Sequence, residues 1–481
     1  MRQRSLATRG SWGPRVTSIA QLHAREILDS RGVPTIEVDV RLTNGAFGRA
    51  AAPSGGSRGK LEALELRDDE RRYGGLGVRR AVEVARMILA PALVGFELQG
   101  PRALDERLVE LDGTENRGCL GANTMLAVSL AVTHALAGKD SAYRYLAERC
   151  LASALAPRLP VPMFNVLNGG AHAGNTVDIQ EYMVAPVGAT SFAEALRMGV
   201  ETYRALRSLL KKADLATSVG DEGGFAPDFE HHTQPLDLLV RAIEHAGLKP
   251  KEEVVIAIDI AAGELLDDRT YVFRKSMQRR RSTEQMIQFY SSWLRYYPIW
   301  SIEDGLADSD TEGWRALTQA LGARVQLVGD DLFVTNAKLL RAGIAGGLAN
   351  AVLIKLNQVG TVSETLETIA EAARHGYGVI ISHRAGETES DFIADLAVAT
   401  GAGQIKAGAP VRGERVAKYN RLLRIEEDLG PAARFAGRDF VQVGGFIPSG
   451  VIPRPLDASE TGPATRELVP PPMRPAQDLE A

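Results

Sequence analysis

The chain of 481 residues is 45% hydrophobic and 24% charged, a composition typical of a globular protein with more than one core. Its net charge of −4 gives no general attraction to nucleic acid or to an anionic membrane, and no apolar stretch is long enough to cross a bilayer. With only two cysteines, a disulfide framework is not expected, and a reducing cytoplasmic location fits.

Both ends of the chain differ in composition from the rest. Residues 1–18 contain several Arg and Ser and no acid, so we expect a disordered extension. A transit peptide, or a start codon placed upstream of the true one, remains open for this segment. Residues 441–481 are rich in Pro and polar residues without periodicity, which predicts a disordered tail.

Residues 19–155 predict a separate α+β domain that caps the rest of the protein. The β-favouring runs "REILDS", "PTIEVDVRLT" and "AFGRAAAPS" are separated by the turn dipeptides "RG" and "NG", and helical periods follow them. Three strands followed by helices are typical of an α+β unit. Within it "PSGGSRG" could be a mobile lid that offers Ser57 to an anion, although a Gly/Ser loop is more often a plain connection.

Residues 156–440 show a different pattern, in which short apolar runs alternate with amphipathic segments about every 25 residues. This pattern predicts parallel βα units, in either a barrel or a doubly wound sheet. The runs end close to charged residues: Asp259, Glu303, Asp330, Lys355, His383, Arg384 and Lys406. Barrels place their chemistry at the carboxyl ends of the strands, where these side chains would form one site, so we favour the barrel.

The three carboxylates at successive strand ends point to a metal. Asp259, Glu303 and Asp330 would repel one another without a cation, and oxygen-only ligands favour Mg²⁺ or Mn²⁺ over zinc. Each could instead simply cap the helix that follows it. Lys355 and Lys406 flank the acids, and a lysine beside a divalent cation loses proton affinity and can act as a base.

Two upstream loops add further candidates. "NVLNGGAHAGNTVDIQEYM" holds His172, Gln180 and Glu181, and "SVGDEGGFAP" places Asp221 and Glu222 before a glycine pair. Glycine allows a sharp turn that exposes an acid, but "GDEGG" alone also fits an ordinary tight turn.

Taken together, these motifs resemble the enolase family, the glycolytic phosphopyruvate hydratases. The resemblance runs over residues 18–430 through "AAPSGGSRG", "LNGGAHAGN", "GDEGG", "SIEDGL", "VGDDLFVTN", "IKLNQVG", "ISHRAGETES" and "GQIKAGAP". It implies an α+β capping domain followed by a (β/α)8-type barrel with an irregular start. It also implies the reversible dehydration of 2-phospho-D-glycerate to phosphoenolpyruvate by a homodimer or a higher homo-oligomer.

The resemblance assigns a role to each matching residue. It implies two Mg²⁺ ions, the first held by Asp259, Glu303 and Asp330, and the second, which arrives with substrate, held in part by Ser57. Lys355 would remove the C2 proton and Glu222 would protonate the departing C3 hydroxyl. The other implied substrate-binding residues are His172, Gln180, Glu181, His383, Arg384 and Ala385, with Lys406 on the carboxylate. Arg384 would take the phosphate, which a guanidinium grips in bidentate fashion.

Two departures from the family pattern leave alternatives open. Ala385 stands where the family has a serine that donates to the phosphate, and Arg58 stands in the lid where a threonine is usual. The first hypothesis is a working enolase. The second is an enolase-like paralogue acting on a related phosphorylated or sulfonated hydroxy acid. The third, a non-catalytic binding protein, predicts an eroded site, but the acid, base and metal carboxylates are all present.

Overall fold

The structure, a computed structural model, describes residues 17–56, 59–138, 142–150, 156–276 and 279–438. The predictions for residues 1–16, for Ser57 and Arg58 in the lid, and for the Pro-rich tail lie outside the described residues.

An antiparallel sheet with the strand order β3-β2-β1-β4 begins the described chain. Its strands are β1 Thr17–Leu28, β2 Pro34–Leu42, β3 Phe47–Ala51 and β4 Glu97–Leu98. Alternation along β2 buries Ile36, Val38 and Val40 on one face, as period-2 patterning requires. The three strands predicted at the start of the capping domain are confirmed. The predicted boundary at residue 18 falls inside β1, because Thr17 and Ser18 pair with β4.

Helices cover this sheet. They are α1 Arg79–Val84, α2 Ala90–Leu93, α3 Pro101–Asp112, α4 Ala122–Ala137 and α5 Ala142–Tyr145, with a π-helical turn at Ala85–Leu89 between the first two. Nearly every residue of α4 is buried, since this apolar helix packs on β2 and β3 on one side and meets the barrel on another. Gly48 permits the close approach, because a Cβ there would lie 1.9 Å from the Ala131 carbonyl oxygen.

Eight strands of the described chain close into a barrel in the order β11-β12-β13-β14-β15-β5-β6-β7. The strands after β4 are β5 Val161–Asn168, β6 Glu181–Ala185, β7 Val255–Asp259, β8 Leu266–Asp267, β9 Thr270–Phe273, β10 Arg279–Arg281, β11 Ile299–Glu303, β12 Gln326–Gly329, β13 Ala351–Ile354, β14 Gly378–Ser382 and β15 Gly403–Lys406. Strands β8 to β10 form a small antiparallel sheet outside the barrel.

The barrel begins irregularly, as the resemblance implied. Strand β6 runs antiparallel to both β5 and β7, whereas the other neighbouring pairs are parallel. The closed barrel confirms the predicted fold class and excludes the doubly wound sheet.

The helices of the barrel begin at recognisable signals. They are α6 Phe192–Lys212, α7 Thr233–His245, α8 Thr283–Tyr296, α9 Thr311–Leu321, α10 Ala337–Gly346, α11 Val362–Arg374, α12 Phe392–Thr400 and α13 Gly413–Leu429. Side chains of Ser191, Ser282, Asp310, Asn336 and Thr361 accept backbone N–H groups in the first turns of α6, α8, α9, α10 and α11, which satisfies donors that have no partner within the helix. None of the described helices is long and apolar enough to cross a membrane.

This topology places the predicted residues at one end of the barrel. Asp259, Glu303 and Lys406 are the last residues of β7, β11 and β15. The next residue after β12 is Asp330 and the next after β13 is Lys355. His383 and Arg384 follow β14 in the same way. The carboxyl ends of parallel barrel strands lie on one face, so these side chains face a common mouth.

Candidate active site

A cavity of about 300 Å³, measured out to its open mouth, lies at this end of the barrel. Most of the predicted site residues line it: His172, Gln180, Glu181, Glu222, Asp259, Lys355, His383, Arg384, Ala385 and Lys406. Gly56, at the edge of the predicted lid, and Ser382 complete the lining. Glu303 and Asp330 are buried against these residues rather than in the lining, and Ser57 lies outside the described residues.

Lys406 is held at the centre of a group of buried acids. Its Nζ lies 2.9 Å from both carboxylate oxygens of Glu303, 3.3 Å from Asp259 Oδ2 and 2.9 Å from Glu181 Oε2. Asp259 and Glu303 are register partners on β7 and β11, which is why one ammonium reaches both. Burial lowers the pKa of Lys406, but the surrounding carboxylates outweigh burial and hold it well above its usual range.

A second ion pair joins Lys355 to Asp330. The Lys355 Nζ contacts Asp330 Oδ2, and Gln358 Nε2 donates to Asp330 Oδ1 at 3.0 Å. The Asp304 carboxylate holds the backbone in place, accepting the N–H groups of Asp330 at 2.9 Å and of Asp331 at 3.0 Å. Burial lowers the pKa of Lys355, yet the Asp330 charge raises it above its ordinary value. Lys355 is therefore a charged ammonium in this arrangement.

The acids around these lysines fit a divalent cation in number and chemistry. Four buried carboxyl groups, from Glu181, Asp259, Glu303 and Asp330, face two ammonium groups and outnumber them two to one. Burial, followed by the Asp259 charge, raises the pKa of Glu303 well above its usual range. Hard oxygen ligands in this setting suit Mg²⁺ better than zinc.

The predicted metal ligands do not form one tight set. Among the described residues, two sets of three side chains bring their ligand atoms within 4.8 Å of one another: His172 with Glu181 and Glu222, and Asp304 with Asp330 and Asp331. Asp259 and Glu303 both contact the Lys406 ammonium instead. A cation bound by these two acids and Asp330 would therefore have to share their oxygens with the two lysines.

A pair of glutamates in the cavity lining lies next to two imidazoles and one amide. His172 Nδ1 lies 3.5 Å from Glu181 Oε1 and 3.7 Å from Glu222 Oε1. Asn165 Nδ2 donates to Glu222 Oε2 at 2.9 Å, and His383 Nε2 lies 3.3 Å from the same oxygen. Burial, reinforced by the Glu222 charge, raises the pKa of Glu181 well above its usual range. Burial also opposes ionisation of Glu222, but His383 and His172 hold its pKa well below the usual range.

Arg384 already grips an anionic group of the protein. Its Nη1 lies 3.1 Å from Glu62 Oε2 and its Nη2 lies 3.3 Å from Glu62 Oε1, so the guanidinium holds the carboxylate with both terminal nitrogens. Nη1 also donates to Asn357 Oδ1 at 3.3 Å. Glu62 is fixed in turn by the Gly59 N–H at 3.0 Å and by Gln358 Nε2 at 3.2 Å. The predicted phosphate residue is thus built to bind a planar or tetrahedral anion.

Ala385 lies where the edge of the lid meets the barrel. Ser54 and Gly386 exchange backbone hydrogen bonds of 2.8 and 2.9 Å, which tie the lid segment to the residue after Ala385. A Cβ added to Gly56 would lie 3.1 Å from the Ala385 Cβ, so the two backbones are in close contact. Ala385 is 5% exposed and adds a methyl group, not a hydroxyl, to the cavity wall.

Sequence reasoning missed several residues that hold the site together. Glu62 lies in "KLEALE", which has the pattern of an ordinary surface segment. Asp304 ends the same apolar run as Glu303, but the pattern does not predict that it holds the backbone of Asp330 and Asp331. Arg415 lies in helical text of mixed charge. Only Asn165 carries a usable signal, as a polar residue inside the apolar run "VPMFNVL".

Comparison with known proteins agrees with this geometry. The family model described as "Enolase, N-terminal domain" matches residues 19–146, and "Enolase, C-terminal TIM barrel domain" matches residues 156–443. A protein named enolase from Acidothermus cellulolyticus is 56% identical over 423 residues, which is 87% of this chain and 96% of that protein.

Proposed function

The chain belongs to the enolase family, and we propose that it catalyses the reversible dehydration of 2-phospho-D-glycerate to phosphoenolpyruvate in glycolysis. The observation that carries the proposal is the arrangement of the cavity. Lys355 and the Glu181–Glu222 pair line the same small cavity, with Arg384 as an anion-binding group beside them. An amine base, a carboxyl acid and a phosphate site in one cavity are the groups that this elimination needs.

Proton removal from C2 is assigned to Lys355. The C–H bond beside a carboxylate is a very weak acid, so the base must be positioned and the carboxylate charge must be offset. Lys355 Nζ supplies the base when it is neutral, and Lys406 offsets the substrate carboxylate. The electron pair of the C2–H bond first moves onto the substrate carboxylate and then forms the C2–C3 double bond when the C3–O bond breaks.

Departure of the C3 hydroxyl is assigned to Glu222, which donates a proton so that the group leaves as water. His172 Nδ1 approaches both carboxyl groups, at 3.5 Å from Glu181 Oε1 and 3.7 Å from Glu222 Oε1. Because the pKa of Glu181 is raised and that of Glu222 is lowered, the proton resides on Glu181 in this arrangement, and Glu222 must gain a proton before it can act as the acid. Gln180 lies beside them and donates from Nε2 to Asp259 Oδ2 at 3.2 Å.

Arg384 is assigned to the substrate phosphate. A phosphate entering the cavity would compete with Glu62 for the two terminal nitrogens that hold it. Glu62 is also bound to Gly59 at the end of the predicted lid, so phosphate binding and the position of the lid segment are linked through this carboxylate.

Two Mg²⁺ ions are proposed to complete the site. Asp259, Glu303 and Asp330 would hold the first, and Ser57, which is outside the described residues, would help to hold the second. When bound, the ions stabilise the additional negative charge that the substrate carboxylate gains as the C2 proton leaves.

Restoring the serine of the family pattern, Ala385→Ser, is expected to lower the KM for 2-phosphoglycerate by up to about tenfold, with a smaller effect on kcat. A hydrogen bond to a charged group contributes about 1.5–3 kcal/mol, and the backbone N–H beside it already satisfies part of the phosphate. Steady-state kinetics on both proteins measure the effect, and Ala385→Gly, which adds no donor, serves as the control. An unchanged or higher KM in the serine variant would show that this position does not face the phosphate.

We further propose a homodimer or a higher homo-oligomer, and a cytoplasmic location. The predicted domain extents, a capping domain over residues 19–155 with its lid and a catalytic barrel over residues 156–440, are proposed with the capping domain extended to begin at Thr17, where β1 begins. Residues 1–16 and 441–481 would be peripheral to both.

A paralogue acting on another phosphorylated or sulfonated hydroxy acid is the second candidate, because Ala385 removes a hydroxyl from the predicted phosphate site. A substrate panel separates the two. If 2-phosphoglycerate has the highest kcat/KM among 2-phospho, 3-phospho and 2-sulfo hydroxy acids, the enolase activity stands. A higher value for another acid, not reversed by Ala385→Ser, would establish the paralogue.

A further inference from the structure

Arg415 is a fully buried cation that contacts three residues of the cavity lining. It lies near the start of α13 and is 0% exposed. Its Nη1 donates to His383 Nδ1 at 2.5 Å and to the Arg384 carbonyl at 2.6 Å. Its Nη2 donates to the Ala385 carbonyl at 2.6 Å and to the Asp221 carbonyl at 3.1 Å. One guanidinium therefore joins the strand end that carries the substrate-binding residues to the loop that carries Glu222.

The contact with His383 decides where the proton of that imidazole resides. A guanidinium has only donors and does not lose its proton in proteins, so the Nδ1 facing it must present a lone pair. A neutral imidazole carries a single N–H, which is then on Nε2. Burial, to which the Arg415 charge adds, lowers the pKa of His383 to about 4 although Glu222 opposes this shift. His383 is therefore neutral at pH 7 with its N–H toward Glu222.

This tautomer also distinguishes the two oxygens of Glu222. Oε2 accepts a hydrogen bond from Asn165 Nδ2 at 2.9 Å, and His383 Nε2 lies 3.3 Å from it. An oxygen that already accepts one hydrogen bond and faces a second N–H is the poorer place for a proton, so a protonated Glu222 carries its hydrogen on Oε1. Oε1 is the oxygen on the side of His172.

We infer that Arg415 is a positioning residue that locks His383 as the Nε2–H tautomer and thereby directs the Glu222 proton to Oε1. The catalytic consequence rests on the proposed function, whereas the tautomer does not. Without Arg415, the imidazole proton can move to Nδ1, and the exposed Nε2 lone pair then favours a Glu222 proton on Oε2. The proton total is unchanged, but the acid would point its hydrogen at His383 instead of His172 and the cavity.

Other charges near His383 are already paired. Glu387 lies close enough to raise the pKa of His383, but its own carboxylate holds Lys418 Nζ at 2.8 Å and the Arg384 N–H at 3.1 Å. Among the described residues, Glu222 and Arg415 are therefore the two charged groups in direct contact with the ring. Loss of Arg415 would leave burial alone to oppose Glu222 and would raise the His383 pKa from about 4 toward its ordinary value of about 6.5.

Nitrogen NMR of the full-length wild-type protein tests the tautomer directly. The chain has eight histidines, so ¹⁵N-histidine labelling gives few signals, and His383→Gln assigns the one in question. We expect His383 to show a protonated Nε2 and an unprotonated Nδ1 from pH 8 down to about pH 5. A protonated Nδ1 in this range, in either the neutral or the charged ring, would overturn the inference, and this result needs no variant of Arg415.

Arg415→Gln and Arg415→Lys test the consequence. We expect Arg415→Gln to lower kcat about 10²-fold, the lower end of what a positioned acid contributes, with a smaller change in KM. Its kcat profile should gain an ionisation between about pH 4 and about pH 6.5, and its His383 signals should report both tautomers. Arg415→Lys keeps a donor for Nδ1 and should restore the Nε2–H tautomer and much of kcat.

Arg421→Met is the matched control, since it removes another buried cation from the same helix, one that pairs with Asp395 on α12 and not with Glu387. It should lower the melting temperature without moving the His383 tautomer. If folded Arg415→Gln keeps the wild-type tautomer and pH profile, Arg415 is merely structural and the inference fails. If the tautomer shifts as expected but wild-type protein does not dehydrate 2-phosphoglycerate, the proposed function fails and the tautomer assignment stands.

Discussion

Lys355→Met is expected to lower kcat for 2-phosphoglycerate dehydration about 10³- to 10⁴-fold, near the upper end of what a positioned general base contributes. Lys355 lines the cavity and pairs with one acid, Asp330. The other amine among the described lining residues, Lys406, is bound by three acids: Glu181, Asp259 and Glu303. Methionine keeps the length of the side chain and removes the basic nitrogen. Substrate binding, reported by KM, should change much less than kcat.

Exchange of the C2 proton with deuterated solvent identifies the step that is lost. Lys355→Met should lose this exchange together with dehydration. Glu222→Gln should lose dehydration but retain exchange, because it removes the acid and leaves the base. Lys338→Met, at an exposed position on α10, is the matched control and should behave as wild type. Persistent C2 exchange in Lys355→Met would assign the base to another residue.

Glu303→Gln is expected to weaken Mg²⁺ activation at least about 10²-fold, judged from the Mg²⁺ concentration that gives half of the maximal rate. The substitution keeps the shape of the side chain but removes a carboxyl group whose negative charge repels that of its neighbour Asp259. Since burial and Asp259 raise the pKa of Glu303, the metal-free protein should not lose stability. Its melting temperature should stay at or above that of the wild type without metal.

Thermal unfolding with and without Mg²⁺ separates binding from folding. The wild type should gain melting temperature with Mg²⁺, because a ligand that binds only the folded state stabilises it, and Glu303→Gln should gain little. Glu312→Gln, at a surface position on α9, provides the control for the loss of one carboxylate. A full Mg²⁺ response in Glu303→Gln, in activity and in melting temperature, would remove Glu303 from the metal site.

The sequence predicted where the site lies because charges follow apolar runs. Parallel strands end on one face of a barrel, so the sequence alone places four charged residues together: Asp259, Glu303, Lys355 and Lys406. The antiparallel start of the barrel could not be predicted from pattern, since buried strands have the same apolar run whichever way they point. The resemblance alone supplied that feature.

Pairing within the site was not predictable, because it joins residues that are distant in the chain. Lys406 and Glu303 are 103 residues apart, and Arg384 and Glu62 are 322 residues apart in different domains. Sequence reasoning placed Lys406 on the substrate carboxylate and Arg384 on the phosphate, yet in the structure each holds a carboxylate of the protein. Their pairing depends on side-chain reach and on charge balance within the folded cavity, which no local pattern encodes.

The most direct test of the account follows phosphoenolpyruvate formation from 2-phosphoglycerate by the purified wild-type protein, first with Mg²⁺ and then with EDTA. We expect turnover that requires Mg²⁺, ceases with EDTA and returns when Mg²⁺ is restored in excess. Absence of turnover with Mg²⁺, in a folded protein and also in its Ala385→Ser variant, would contradict the assignment of substrate and reaction.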